Sequence, residues 1–301
     1  MSSVALNKAE PVAGTVPGTG RGPARPRRIA LVPTLTLLLG ALYCLLPVVW
    51  VVIASTKSGS ELFSTFTFWP GTGFTENLSD LNAYRDGVYW EWMGNSALYA
   101  GLGALLSTCV SAVSGYALAV YRFRGRETLF NVLLAGVLMP PVILAVPQYL
   151  LLAQADLTDS YLSVLLPQIL SPYGVYLARI YAAASVPSDV VEAGRMDGAG
   201  EWRIFTRVAL PMMLPGLVTV FLFQFVAIWN NFLLPFIMLS DDEKFPITLG
   251  LYTLLEQGAS TPALYTLVIT GAFLAVFPLV ALFLVVQRFW SLDLLSGAVK
   301  S

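Results

Sequence analysis

The sequence predicts an all-α polytopic membrane protein with six transmembrane helices. Three observations carry that prediction. Of 301 residues, 56% are apolar and 12% charged, with a mean hydropathy of +0.72, whereas a soluble domain is nearer a quarter charged. Six apolar runs, at 29–54, 93–120, 128–153, 161–184, 211–239 and 263–287, reach the ~20 residues that cross a bilayer. None has a charge in its middle. Finally, the basic residues segregate between alternate loops, as the positive-inside rule requires.

Taken in order, residues 1–28 are rich in Pro, Gly, Ser and Thr and end in Arg21, Arg25, Arg27 and Arg28. They read as a disordered cytoplasmic tail with a basic orientation signal. The following apolar run is too long for a signal peptide and no small-residue cleavage site ends it. Residues 29–288 form the transmembrane domain and 289–301 a second cytoplasmic tail.

With the N-terminus inside, the inner segments hold Lys8, Arg21, Arg25, Arg27, Arg28, Arg122, Arg124, Arg126, Arg179, Arg195, Arg203, Arg207, Arg288 and Lys300. The outer loops hold Lys57, Arg85 and Lys244. Fourteen against three sets the orientation. Arg179, near the inner end of the fourth run, is placed to snorkel to the interface. The first outer loop, 55–92, carries Trp90 and Trp92. These read as an aromatic belt, with contact to an external partner as the alternative. The loop at 240–262 opens with Asp241, Asp242 and Glu243, read as solvated acids. Prolines recur in consecutive spans, at Pro140, Pro141, Pro147, Pro167, Pro172, Pro215, Pro235 and Pro278. Such residues free carbonyls and bend helices, which is tolerated where neighbours or a cavity satisfy the backbone.

The chain contains no histidine, which excludes Ser-His-Asp and Cys-His nucleophiles and His-ligated zinc. Cys44 and Cys109 both fall in apolar runs and read as small core residues rather than a disulfide or metal pair. No GxxxxGK[ST] sequence is present, so ATP must bind elsewhere. The chain is therefore read as having no catalytic site, metal or cofactor and no nucleic-acid partner; membrane lipid is its surroundings.

Polar residues inside spans point to a pathway. Here they are Gln148, Gln168, Gln224, Asn230 and Asn231, with Trp229 beside the last two. An aromatic face next to amides suits a sugar, whose C–H face stacks while its hydroxyls bond. The alternative is that the amides bond between helices and never meet substrate.

The stretch Glu192–Pro211, EAGRMDGAGEWRIFTRVALP, concentrates charge and small residues between two apolar runs. Ser188 is the expected N-cap of a first short helix, and Gly198 its stop, since glycine accepts the left-handed conformation. A second short helix then leads to Pro211 at the next span. The stretch resembles the EAA loop of permease subunits in binding-protein-dependent ABC importers. Glu192 and Ala193 match, Gly198 falls in register, and Leu210-Pro211 close the motif; Gly194 and Val208 depart by small swaps. Asp197-Gly198-Ala199 and Phe205 resemble the maltose-type sugar-uptake version, as do Asn95-Ser96, Tyr121-Arg122-Phe123-Arg124-Gly125 and the ending Ser296-Gly297-Ala298-Val299-Lys300. The resemblance runs from about residue 30 to the end.

The resemblance implies a type I ABC importer permease fold, with the loop at 185–211 docking into a cytoplasmic ABC ATPase dimer. It further implies a second homologous permease subunit, an extracellular solute-binding protein and a sugar substrate. Within this family some substrate contacts fall on the partner permease. A permease of a type I ABC importer for a non-sugar solute is the alternative within the resemblance, since amino-acid, phosphate and metal importers share the docking loop. A stand-alone secondary transporter or channel is the reading from another class; its coupling ion would need a buried ionisable group that the spans do not offer.

Overall fold

The computed structural model describes residues 31–298, with side chains through 289. The predicted N-terminal tail and the last residues of the C-terminal tail, including Val299 and Lys300, lie outside the described residues. The chain divides at Leu46/Pro47 into two units. In the first, the described part is one helical stretch from Leu31. The second unit carries everything else.

Helix α1 is Leu31–Ala54. Two short helices follow, α2 (Gly59–Ser64) and α3 (Phe74–Ala83). The Ser58 side chain and Glu61 close α2 with a reciprocal capping box. Helix α4 (Val88–Val120) is the long axis of the domain. Then come α5 (Arg126–Leu138), α6 (Pro141–Gln154), α7 (Tyr161–Ile169) and α8 (Pro172–Ser185). Beyond them are α9 (Ser188–Met196), α10 (Glu201–Ile204) and α11 (Leu210–Trp229). Last are α12 (Leu233–Met238), α13 (Ile247–Gly258) and α14 (Leu264–Ala298).

The expectation of six uniform spans is changed by the prolines. Four helical stretches among the described residues are long and apolar enough to cross a membrane: 31–55, 74–120, 201–229 and 264–289. The third expected span is a bent pair: α5 and α6 meet at 104°. Met139 and Pro140 there are extended (ψ 125 and 127), because a residue ahead of proline is pushed out of the helical region. The fourth is interrupted at Leu170–Ser171, with Pro172 as the first residue of α8. The Ser171 hydroxyl accepts from the Gly174 N–H, restoring one of the bonds the break frees. The fifth breaks at Asn230, ahead of α12.

Two buried clusters hold the helices. One surrounds the first half of α4, with Tyr89, Trp92 and Tyr99 packed against α7, α11, α13 and α14. The other lies at the far end of α4, where Ala112 and Tyr116 meet Ala178 and Ala182 of α8 and Met213 and Leu217 of α11. Here α4 and α8 touch backbone to backbone. A Cβ on Gly115 would stand 2.6 Å from both Ala178 Cβ and the Arg179 nitrogen, the close approach that small residues permit between membrane helices.

At the Val88 end of α4, four side chains clasp the segment 242–247. Trp92 Nε1 donates to the Asp242 carbonyl (2.8 Å) and Asn95 Nδ2 to Glu243 (2.7 Å). Tyr99 OH donates to Lys244 (3.0 Å), and the Ile247 N–H donates to Ser96 Oγ (2.7 Å). Asp159 adds a carboxylate oxygen that accepts from Ser240 and Asp241 N–H, both 3.0 Å. These contacts correct the aromatic-belt reading for Trp92, which is 1% exposed and belongs to the core; Trp90, half exposed, bonds Asn82. The acids at 241–242 are engaged rather than simply solvated, Asp241 with Lys244 and Asp242 with Arg85. The expected loop 240–262 also contains a full helix, α13, whose Ile247, Leu249 and Leu254 are buried. Cys44 and Cys109 are free thiols, exposed rather than core. An exposed position in an apolar run is what a lipid-facing helix surface predicts.

Candidate functional site

The stretch 188–211 folds as a compact knuckle at the Val120 end of α4. Pro187, extended at ψ 142, is the residue that precedes the helix, so Ser188 stands at its first position instead of capping it. The stop falls where glycine predicts. Gly198 has φ +76, and two bonds close the end: Gly198 N–H to the Arg195 carbonyl and Ala199 N–H to the Gly194 carbonyl, each 3.0 Å. This is a Schellman closure, which needs a left-handed residue at that site. Gly194 faces Ile204, where a Cβ would sit 3.2 Å from Ile204 Cγ1. The small residue lets α10 fold back against α9.

The second short helix does not end before the span. Phe205–Ala209 form one π-helical turn, with Leu210 N–H bonded to the Phe205 carbonyl, and the helix runs on as α11. Pro211 supplies the physical reason: in a regular helix its ring would meet the Arg207 carbonyl, and a wider turn just before it relieves that contact.

The underside of the knuckle is buried. Val191, Ile204, Phe205 and Ala209 join the cluster of Tyr116, Ala178, Ala182 and Met213. The upper side is exposed, with Glu192, Ala193, Asp197, Gly198, Arg203 and Arg207. Arg195 grips Glu201 at 2.7 and 3.2 Å, and Tyr121 OH donates to Glu201 at 2.9 Å. The Glu201 hydrogen bond, backed by its charge, raises the guanidinium pKa of Arg195. Both partners are nearly half exposed, so the pair fixes register more than it adds stability. Glu192 and Arg195, with Arg122 and Arg126, border a cleft of about 680 Å³ between α9 and the ends of α4 and α8.

Sequence reasoning missed two residues on the exposed side: Met196, 88% exposed, and Trp202, 69% exposed. Their signal was large apolar side chains inside a charged segment. Trp202 is steadied by Phe205, ring centroids 5.5 Å apart.

The six candidate pathway residues separate. Gln148, Gln168 and Asn231 converge on one cavity of about 160 Å³, walled by Pro141, Pro167 and Leu234. Gln168 Nε2 is held by the Val164 carbonyl (2.9 Å), and Asn231 Oδ1 accepts from Leu234 N–H (3.3 Å). The other three stand apart. Gln224 is buried and donates to Ser171 Oγ (2.6 Å), tying α11 to the break before α8. Trp229 is 3% exposed and stacked on Phe225, within the core. Asn230 is exposed and bonds back to Val226. The helix break at Asn230 turns Asn231 away from the direction of its neighbours, which periodicity does not reveal.

A family model described as binding-protein-dependent transport system inner membrane component matches residues 108–291, the knuckle included. The chain belongs to that family. The permease is 34% identical over 263 residues to the arabinooligosaccharides transport system permease protein AraQ of Halalkalibacterium halodurans, covering 86% of this chain and 92% of the relative. It is 31% identical over 265 residues to the lactose transport system permease protein LacG of Rhizobium radiobacter, covering 87% and 93%. Its fold matches a chain in the crystal structure of a bacterial ABC transporter that imports the acidic polysaccharide alginate. The TM-score is 0.74, with 23% identity, over 86% of this permease and 95% of that chain.

Arg179 of the permease pairs with the exposed Glu127 (3.3 Å) and lies 3.6 Å over the Phe130 ring.

Proposed function

We propose that the permease is one half of the translocation pathway of an ATP-driven importer of a sugar or oligosaccharide. ATP hydrolysis occurs on a separate ATPase pair that docks on the knuckle, and a second homologous permease supplies the other half. The observation that carries this reading is mechanical. The knuckle is joined to α11 without a flexible joint, and α11 runs about 30 Å at the helical rise to the break beside Asn231. Exposed charge, Met196 and Trp202 face outward for a visitor, while the buried underside moves with α8 and α11.

Closure of the ATPase pair displaces the knuckle as a lever. The displacement travels along α11 to the amide cavity, and the broken helices around it rearrange to alternate access between the two membrane faces. The knuckle lies in the cytoplasm with both termini, as the basic-residue count supports, and the clasped end of α4 faces the solute-binding protein. The sugar assignment is supported by the relatives named for arabinooligosaccharides and lactose and by the uncharged amides at 148, 168 and 231.

The test is co-purification of tagged Glu192→Lys permease with its ATPase. Loss of the ATPase and of sugar uptake, with normal membrane insertion, is expected. Undiminished assembly and uptake refute the docking role.

A further inference from the structure

Two neighbouring hollows at the knuckle end of the molecule share one wall. The first, about 450 Å³, is almost wholly apolar. Val110 and Leu118 of α4, Leu129 and Leu133 of α5 and Val175 of α8 line it. The second, about 410 Å³, is mixed in character and opens at the bend between α4 and α5, where Arg122, Arg126 and Glu127 stand beside Phe123 and Gly125. Phe123 borders both.

Basic residues outnumber acids on the bend itself, Arg122, Arg124 and Arg126 against Glu127, while Glu192 shares the neighbouring cleft with Arg122 and Arg126. Glu127 is already taken by Arg126 (3.0 Å) and Arg179 (3.3 Å). Arg122 and Arg124 are exposed and make no ion pair among the described residues. The depth fits as well. The apolar hollow extends from the bend back to Val110, ten residues or ~15 Å along α4, the thickness of one leaflet of a ~30 Å hydrocarbon core.

We propose that this pair of hollows is a binding site for one anionic phospholipid from the leaflet on the knuckle side. Its phosphate and head group lie on Arg122, which lines the second hollow, with exposed Arg124 two residues further along the bend, and an acyl chain fills the groove between α4, α5 and α8. The bound chain covers Pro172 and Val175 of α8 and braces the broken span 170–172, since Leu170 and Pro172 also wall the groove. Arg122 also borders the cleft beside α9, but lipid retention is read on the permease alone, without ATPase or transported solute, so it is tested independently of the transport reading.

The full chain, purified and placed in nanodiscs of phosphatidylcholine with a minor fraction of phosphatidylglycerol, is released and its retained lipid identified by native mass spectrometry. Retention of phosphatidylglycerol over phosphatidylcholine is expected. Each basic residue at a membrane surface is worth about five-fold in partition, so Arg122→Gln with Arg124→Gln should reduce that preference about thirty-fold. Leu129→Trp, which fills the groove, should remove retained lipid of either head group. Retention blind to head group, or unchanged in both variants, overturns the site. So does a cysteine at Leu129, in a Cys44- and Cys109-free background, that cross-links efficiently to another polypeptide in the assembled importer: the groove would then be a protein interface. Displacement of the lipid by millimolar inorganic phosphate alone would also overturn it, leaving only a surface anion site.

Discussion

Gly198 offers the sharpest test of the knuckle. Its φ of +76 lies in the left-handed region, and nothing lies within 4 Å of where a Cβ would project. Gly198→Ala therefore adds no clash and isolates the cost of the backbone conformation, about 1–2 kcal/mol for an L-residue. That cost falls on the two 3.0 Å bonds that close α9, and it lowers the population of the closed turn roughly 5- to 30-fold. Gly200 is the matched control. It is equally open, but its φ is −68. Alanine there gains about 0.4–1 kcal/mol through the unfolded chain, which offsets the poorer N-cap it makes for α10, so the net change should be small. The assays are thermal unfolding of the purified permease and solute-stimulated ATPase activity of the reconstituted importer. Gly198→Ala should weaken coupling before it lowers global stability, Gly198→Asn should do so less, and Gly200→Ala should do neither. Equal behaviour of the two alanine variants would refute the role of the left-handed turn.

Four more expectations rest on contacts elsewhere in the fold. Gln148→Ala and Gln168→Ala should raise the apparent KM for uptake without changing unfolding temperature. Gln224→Leu, which breaks the bond to Ser171, should lower stability by about 1–3 kcal/mol with KM unchanged; the reverse pattern would put the pathway at Gln224. Gly250→Ala should be among the most damaging changes at the clasped end, because its Cβ would enter the ring of fully buried Trp92. Overpacking and the strained Trp92 hydrogen bond together should cost about 2–4 kcal/mol, read by thermal unfolding. Asp159 is one of several carboxylates that contribute to the pH dependence. The Asp241 and Ser240 amides hold its carboxyl below the usual carboxylate range, so its contribution is complete above the ordinary value and lost as pH falls through the lowered one. Unfolding in acid should therefore be shallower in Asp159→Asn than in the parent chain, over that range only.

Composition and the placing of charge were enough for an all-helical membrane chain, because a bilayer allows few other solutions to backbone hydrogen bonding. Gly198 and the alternating charge around it were enough for a compact turn, since the left-handed requirement is local. What periodicity could not supply was where each helix breaks and which way its polar residues then point. Trp229 and Asn231 are two residues apart, yet one is sealed in the core and the other lines a cavity, because the helix stops between them. The buried role of Trp92 depends on a segment about 150 residues away, and α13 emerges from an apparent loop because its apolar face has α4 and α14 to pack against. The joining of α10 to α11 is likewise tertiary: a proline that alone would begin a new span is absorbed by a wide turn, since Phe205 and Ala209 are pinned in the core on either side of it. The sequence by itself determined the solvent each segment must satisfy; long-range packing alone decided which bends survive and which amides meet.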